Sequence, residues 1–380
     1  MKGREHVRAD TQGTISARLV SEPADPRDRA LRTRQATSIA GTASLRVYVS
    51  EWENGKRSIA PPYTAILRAV LGMTDEELFG GKEVSIPTVD GYRELVERID
   101  SAHSVSSSVV DTLNQQTELL RTVDRQMGAS QLVDQMTAHI NTLTEALTFA
   151  VLPSVRQPIA EALAGASTLA AWQALDVGAT DRAWRHYEQA KSAAREAERL
   201  AYLAHAMGEQ AYVLSEAGKP ELSVELVTEA LRIAGTEIPP RVASWLLAAK
   251  AEFHALSGEE SACRSALESA ELHIPDDGLL RDPDMLSIFL TEEHLKRWKG
   301  HSLALIGDEG AVSELYEALE AMDSTFARAE AGLRADLAQA HMRRGEHGDA
   351  TDQLRKARLL ANRTGSVRQR KRIERLTGQA

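Results

Sequence analysis

The chain has 380 residues, 43% apolar and only 4% aromatic, with a formal net charge of −10 and one cysteine. That apolar content is enough for two or three packed domains, and the scarcity of aromatics beside abundant Ala, Leu, Glu and Arg favours helices over strands. A lone Cys263 excludes an internal disulfide and a multi-cysteine zinc site, and no apolar run approaches the roughly 20 residues that cross a bilayer. With no apolar stretch behind Met1-Lys2-Gly3-Arg4-Glu5, a secretory signal is not expected, and an all-α cytoplasmic protein without membrane contact is.

Charge is unevenly spread. Residues 1–70 hold 12 Lys/Arg against 7 Asp/Glu, a balance of +5 that leaves −15 for the rest. A basic head on an acidic body suits a chain of which only the head meets DNA.

Residues 1–25 lack helical periodicity and read as an arm. Residues 27–79 read as several short helices. On a helix starting near Leu45, the side chains of Leu45, Val49 and Trp52 share one face, and Arg46, Val47, Ser50, Glu51 and Asn54 share the other. Gly55 ends that helix, Pro61-Pro62-Tyr63 opens another, and Thr74-Asp75-Glu76-Glu77 is a capping box. The string from Val49 to Arg57 resembles the end of the recognition helix in Cro-like (XRE family) helix-turn-helix domains, and Met73 to Leu78 resembles the turn after their fourth helix. The resemblance implies a DNA-binding head over residues 1–80. It implies that Arg46, Val47, Ser50 and Glu51 face bases and that Tyr48, Lys56 and Arg57 lie near phosphates. The first half of the motif departs from the family. Ala30 to Ala43 aligns at Gln35, Ile39 and Ala40 but puts Ala43 where a turn glycine is usual.

Gly80 to Pro87 reads as a linker. Residues 92–126 read as two helices parted by a Ser-rich break at 104–108, and a third runs from about Ser130 to Leu152 before Pro153. This connector, residues 81–162, is either a bundle or a dimerisation coil, so a homodimer stays open.

A repeat occupies residues 163–380. Gly178, Gly218, Gly258, Gly307 and Gly345 recur with matched company. Seven residues before them stand Ala171, Ala211, Ala251, Gly300 and Ala338. After them, small–large–small sets such as Ala183, Tyr187 and Ala190 mark one face of a second helix; the fourth unit fits one residue shorter, with Ala311, Leu315 and Ala318. Each glycine therefore sits at the turn of an antiparallel helix pair. The pattern resembles tetratricopeptide repeats, at a period nearer 40 than their 34 residues. Stacked pairs turn their first helices to an inner surface. The residues six, ten and thirteen before each glycine mark that surface as Trp172, His205, Tyr212, Trp245, Glu252, His294, Arg297, His301 and Gln339. Core packing accounts equally well for Trp172 and Trp245. The basic tail from Arg363 to Arg375 reads as a solvated cap, and Cys263 as a packing residue.

The combination of head, connector and repeats resembles a class of bacterial transcriptional regulators, and Gln115 to Glu118, Trp172 to Asp176 and Trp184 to Tyr187 resemble segments of that class. The resemblance implies a DNA-binding regulator whose array takes a peptide or protein effector. The alternative is a scaffold with a degenerate head that no longer binds DNA. No phosphate loop, H-E-x-x-H or G-x-S-x-G is present, so neither catalysis, a cofactor nor a metal is expected.

Overall fold

The structure, a computed structural model, describes residues 42–53, 56, 59, 63, 64, 66 and 67, and residues 91–378 except 283, 286 and 324. The arm, the bracing half of the helix-turn-helix pattern, the linker and Arg57 lie outside the described residues. The chain forms two compact units, residues 1–94 and 95–380. The connector helices thus belong mostly to the same unit as the repeats.

In the first unit, α1 (Thr42–Glu53) starts three residues before Leu45. Val49 is buried with Leu67, and Trp52, Ile59 and Ile66 pack around them. Val49 and Trp52 are two of the three residues that the i, i+4, i+7 spacing puts on one face; Leu45 is outside the cluster.

The second unit opens with α2 (Gly91–His103) and α3 (Ser107–Met127), whose break falls at residues 104–106. A single 3-10 turn then leads into α4 (Val133–Phe149). Five helix pairs follow: α5 (Pro153–Asp176) with α6 (Thr180–Glu196), α7 (Leu200–Glu216) with α8 (Pro220–Ala234), α9 (Pro240–Leu256) with α10 (Glu260–His273), α11 (Glu292–Ile306) with α12 (Ala311–Glu320), and α13 (Ala327–Arg343) with α14 (His347–Thr364). A last helix, α15 (Val367–Thr377), ends the array. Proline opens α5, α8 and α9, where its missing N–H costs nothing.

The five repeat glycines all have φ between 74° and 82°. A side chain is disfavoured in that left-handed region, so glycine is the residue that can turn the chain there. The positions around them pack as the spacing requires: Ala171, Ala211, Ala251 and Ala338 are wholly buried, as are Ala183, Ser223, Cys263, Ala311 and Ala350. Cys263 is a core residue whose thiol burial pushes up to about 11, so it carries no reactive thiolate.

Two features depart from a plain stack. The array returns on itself: α15 packs on α5 and α13, and α3 packs on α13 and α14. At this seam a Cβ on Gly128 would fall 1.9 Å from the Thr364 carbonyl oxygen, so the backbones approach more closely than any side chain allows. The second feature is the long spacing between Gly258 and Gly307. Its extra residues form an ordered loop between α10 and α11, in which Met285, Ile288 and Leu290 are buried. Arg241 of α9 holds it by bonding the Leu290 carbonyl and Asp277 Oδ1.

Candidate ligand cavity

The first helices of all five pairs, together with α3, α15 and the long loop, enclose a cavity of about 550 Å³. All nine residues assigned to the inner surface by spacing line it: Trp172, His205, Tyr212, Trp245, Glu252, His294, Arg297, His301 and Gln339. The two tryptophans belong to wall and packing alike. Trp245 is buried and stands edge-on to His205 at 4.9 Å between ring centroids, and Trp172 stands edge-on to Tyr212 at 5.8 Å.

A hydrogen-bonded chain crosses the cavity. His301 Nδ1 lies 2.6 Å from Asp336 Oδ1, and His301 Nε2 lies 3.3 Å from Glu252 Oε1. The Tyr212 hydroxyl donates to Glu252 Oε2 at 2.9 Å, and Trp298 Nε1 donates to the Tyr212 oxygen at 3.4 Å. Burial works against charge on His301, but Asp336 and Glu252 outweigh it and lift its pKa to about 9. Burial likewise works against the Glu252 and Asp336 carboxylates. His301 and Tyr212 in the first case, and Arg372 and His301 in the second, hold both below the ordinary carboxylate range. His301 is therefore a charged bridge between two carboxylates at neutral pH.

The basic tail is a solvated cap only in part: Arg363, Lys371 and Arg375 are exposed, but its other side faces the cavity. Ile373 and Leu376 are buried, and Arg368 and Arg372 point inward. Arg368 pairs with Glu216 at 2.6 Å and lies over the rings of Trp172 (5.3 Å) and Tyr212 (5.4 Å). Arg372 pairs with Asp336. Repeat spacing misses this because α15 belongs to no helix pair; its placement follows from closure of the array onto α5.

The seam between the array's ends is also charged. Arg328 of α13 meets Asp124 of α3 at 2.5 Å and Asp176 of α5 at 3.3 Å, and Ser366 donates to Asp176 at 2.6 Å. Burial opposes the Arg328 charge, but the two aspartates hold its pKa above the usual arginine value.

At the wall formed by α3 and the long loop, Phe289 and Phe326 lie 5.5 Å apart, with His294 4.5 Å from Phe289. Arg125 stacks over both phenyl rings, at 5.2 and 5.6 Å. His294 is pulled down to about 4, first by burial and then by the positive charge of Arg297. The repeat pattern gives no sign of Arg121, Arg125, Ser287 or Phe289, because they come from the connector and from the insertion.

Among the described residues, His341, Glu346 and Asp349 present ligand atoms within 4.8 Å of one another. The His341 and Glu346 atoms are already engaged: His341 Nδ1 bonds Glu346 at 2.6 Å, its Nε2 meets Tyr316 at 3.2 Å, and Arg344 pairs with Glu346 at 2.9 Å.

In the first unit, Arg46, Val47, Ser50, Glu51 and Lys56 surround one shallow pocket, and Arg46, Val47 and Ser50 are exposed. Tyr48 sits apart from them, its ring 6.1 Å from Trp52 and 6.0 Å from Tyr63.

No family model matches the chain, and no curated protein does. Two crystal structures of a putative kinesin light chain with nearly identical TPR-like repeats from Podosopora anserina, one of them a point variant, are similar to it in part. Each is 15% identical and covers 52% of this chain and 94% of its own, at a TM-score of 0.34. A likeness that slight bears on no function. The repeat architecture rests on the helix pairs and their turn glycines, and nothing in the comparisons supports the Cro-like resemblance of the head.

Proposed function

We propose that this protein is an interaction module whose repeat array holds a peptide segment, from an effector or a partner protein, in its central cavity. One observation carries the reading. Five helix pairs, a connector helix and the terminal helix all direct aromatic and charged side chains into a single cavity of about 550 Å³, within the 300–1,000 Å³ typical of ligand sites. A core built only for stability favours apolar side chains there, since buried charges are costly even when paired. A wall with aromatic rings and both charge signs matches the mixed chemistry of a peptide.

The test is selection of peptides from a random library on the full chain, followed by calorimetry. Ala329 lines the cavity and is half-buried, so Ala329→Trp fills the space from its rim. It is expected to weaken selected peptides at least tenfold. Leu272→Ser, on an outer face where the side chain is 85% exposed, is expected to leave them unchanged. Peptides indifferent to Ala329→Trp would sink the reading.

DNA binding by the head is a second reading, favoured by the exposed grouping of Arg46, Val47 and Ser50 beside Lys56. Under it, Lys56→Ala weakens binding to every duplex alike and flattens the salt dependence, and Arg46→Ala relaxes sequence preference. A full-length chain that shows no gel shift with any duplex at low salt removes it.

A further inference from the structure

The charges around the cavity do not balance. Each carboxylate that lines it has a partner: Asp124 and Asp176 have Arg328, Glu209 has His205 and the Tyr187 hydroxyl, Glu216 has Arg368, Glu252 has His301, and Asp336 has His301 and Arg372. The arginines do not all have one. Among the described residues, Arg125 and Arg297 have no carboxylate at ion-pair distance, though both line the cavity and both act on His294. Burial holds the pKa of each below the usual arginine value, to about 10 for Arg125. Burial outweighs the attraction of Glu118 and Asp124 for Arg125 and of Asp336 and Glu252 for Arg297, so their surroundings disfavour the charge they carry.

Each of these guanidiniums is stacked on aromatic rings, Arg125 on Phe289 and Phe326 and Arg297 on Trp298. Stacking uses the flat face of a guanidinium and leaves its in-plane N–H donors open. Two further donors lie in the same lining. Arg121 is more than nine-tenths buried; its Nε pairs with Glu118 at 3.0 Å, and its Nη2 has no hydrogen-bond partner among the described residues. The Ser287 hydroxyl is likewise buried and unpartnered. Arg121 and Arg281 also act on Arg125, so these three positive groups are close enough to repel. Unused N–H and O–H donors with surplus positive charge in the lining of one cavity are what a bound oxyanion satisfies, by short charge-assisted bonds.

We infer that Arg121, Arg125, Arg297 and Ser287 form the seat of an oxyanion on the ligand, a carboxylate or a phosphate, with Phe289 and Phe326 receiving the apolar group beside it. This rests on the cavity being the ligand site and names the chemistry it selects. The seat does not require an extended peptide: a terminal carboxylate, an acidic side chain or a phosphorylated residue each presents the same group.

The experiment uses the full chain and three probes: N-acetylphenylalanine, its uncharged amide, and phenyl phosphate. At the free energy per atom usual for small ligands, such probes bind at about millimolar concentration. Thermal melts with up to ~10 mM probe are therefore sufficient. The acid, the phosphate or both are expected to raise the melting temperature, and the amide to leave it in place. Whichever anion binds more tightly identifies the source. Arg125→Gln and Arg297→Gln are each expected to reduce anion affinity at least tenfold. Arg375→Gln, an exposed arginine at the rim with no part in the seat, is expected to keep it. The inference is overturned if acid and amide act alike, if no anion shifts the melt, or if both arginine variants bind as the parent does. Selected peptides that are blocked by Ala329→Trp but indifferent to Arg125→Gln would remove the anion seat and leave the peptide cavity standing. Anions that need Arg125 while no peptide binds would do the reverse.

Discussion

Two groups of buried arginine charge line the same cavity, and they are built on different plans. At the seam, Arg328 is clasped by Asp124 and Asp176, and the array's ends are joined through it. Elsewhere in the lining, Arg125 lies over Phe289 and Phe326 and Arg297 over Trp298, and neither has a carboxylate at ion-pair distance among the described residues. Burying a charge costs several kcal/mol unless good geometry offsets it. The seam provides that offset from within the chain. The aromatic wall does not, and it is the place where a ligand gains most by arriving.

Breaking the seam is expected to have the largest effect. Arg328→Ala leaves two nearly inaccessible aspartates unpaired, and losing one partner of a buried ion pair costs about 3–5 kcal/mol. Urea unfolding of the full chain should show it as a fall in midpoint. Combining Arg328→Met with Asp124→Asn and Asp176→Asn should recover most of the loss, because no charge is then left behind. A triple variant no more stable than Arg328→Ala would mean that the seam is held by packing alone.

The His301 bridge is expected to give an effect of intermediate size, visible in pH dependence. Its folded pKa of about 9 lies above the ordinary 6.5. Its contribution is therefore complete below about pH 6.5 and is lost as pH rises through about 9, amounting to about 3 kcal/mol at most. Wild type should lose stability between those limits, and His301→Gln should be lower at pH 6.5 but flat across them. His294, pulled down to about 4, has the opposite sign: it costs stability as pH falls from 6.5 towards 4. His294→Gln should soften that acid limb and leave the alkaline one alone.

The smallest effect is expected at the aromatic wall, and its direction sharpens the contrast. Arg297→Met removes a buried charge that has no ion-pair partner, at the cost of a cation–π contact worth about 0.5–2 kcal/mol. The empty protein should stay within about 1 kcal/mol of wild type or become more stable. A loss like that of Arg328→Ala would show that Arg297 is structural.

Much of this was legible in the sequence because repetition makes it so. The turn glycines and the small residues seven before them fix where each first helix turns inward, which is why nine residues picked by spacing, from Trp172 to Gln339, meet around one cavity. What spacing cannot reach is geometry imposed by closure. The tail from Arg363 to Arg375 looks solvated as a string of charges, yet closing the array brings Arg368 onto Trp172 and Tyr212. Arg125 reads as the polar side of a connector helix until α3 packs on α13. Phe289 lies in an insertion that no repeat register covers. Tyr48, set near phosphates by the head's resemblance, packs beside Trp52 and Tyr63, a contact between helices that spacing within α1 does not give.

The central claim is that the cavity is where this protein meets its ligand, and amide hydrogen exchange of the full chain with and without a library-selected peptide tests it most directly. The account predicts added protection in α3 around residues 121–125, in the loop and helix from 287 to 301, and at the start of α15. The outer helices α8, α10 and α12 should be unchanged. Protection confined to those outer helices, or to residues 42–67, would contradict it.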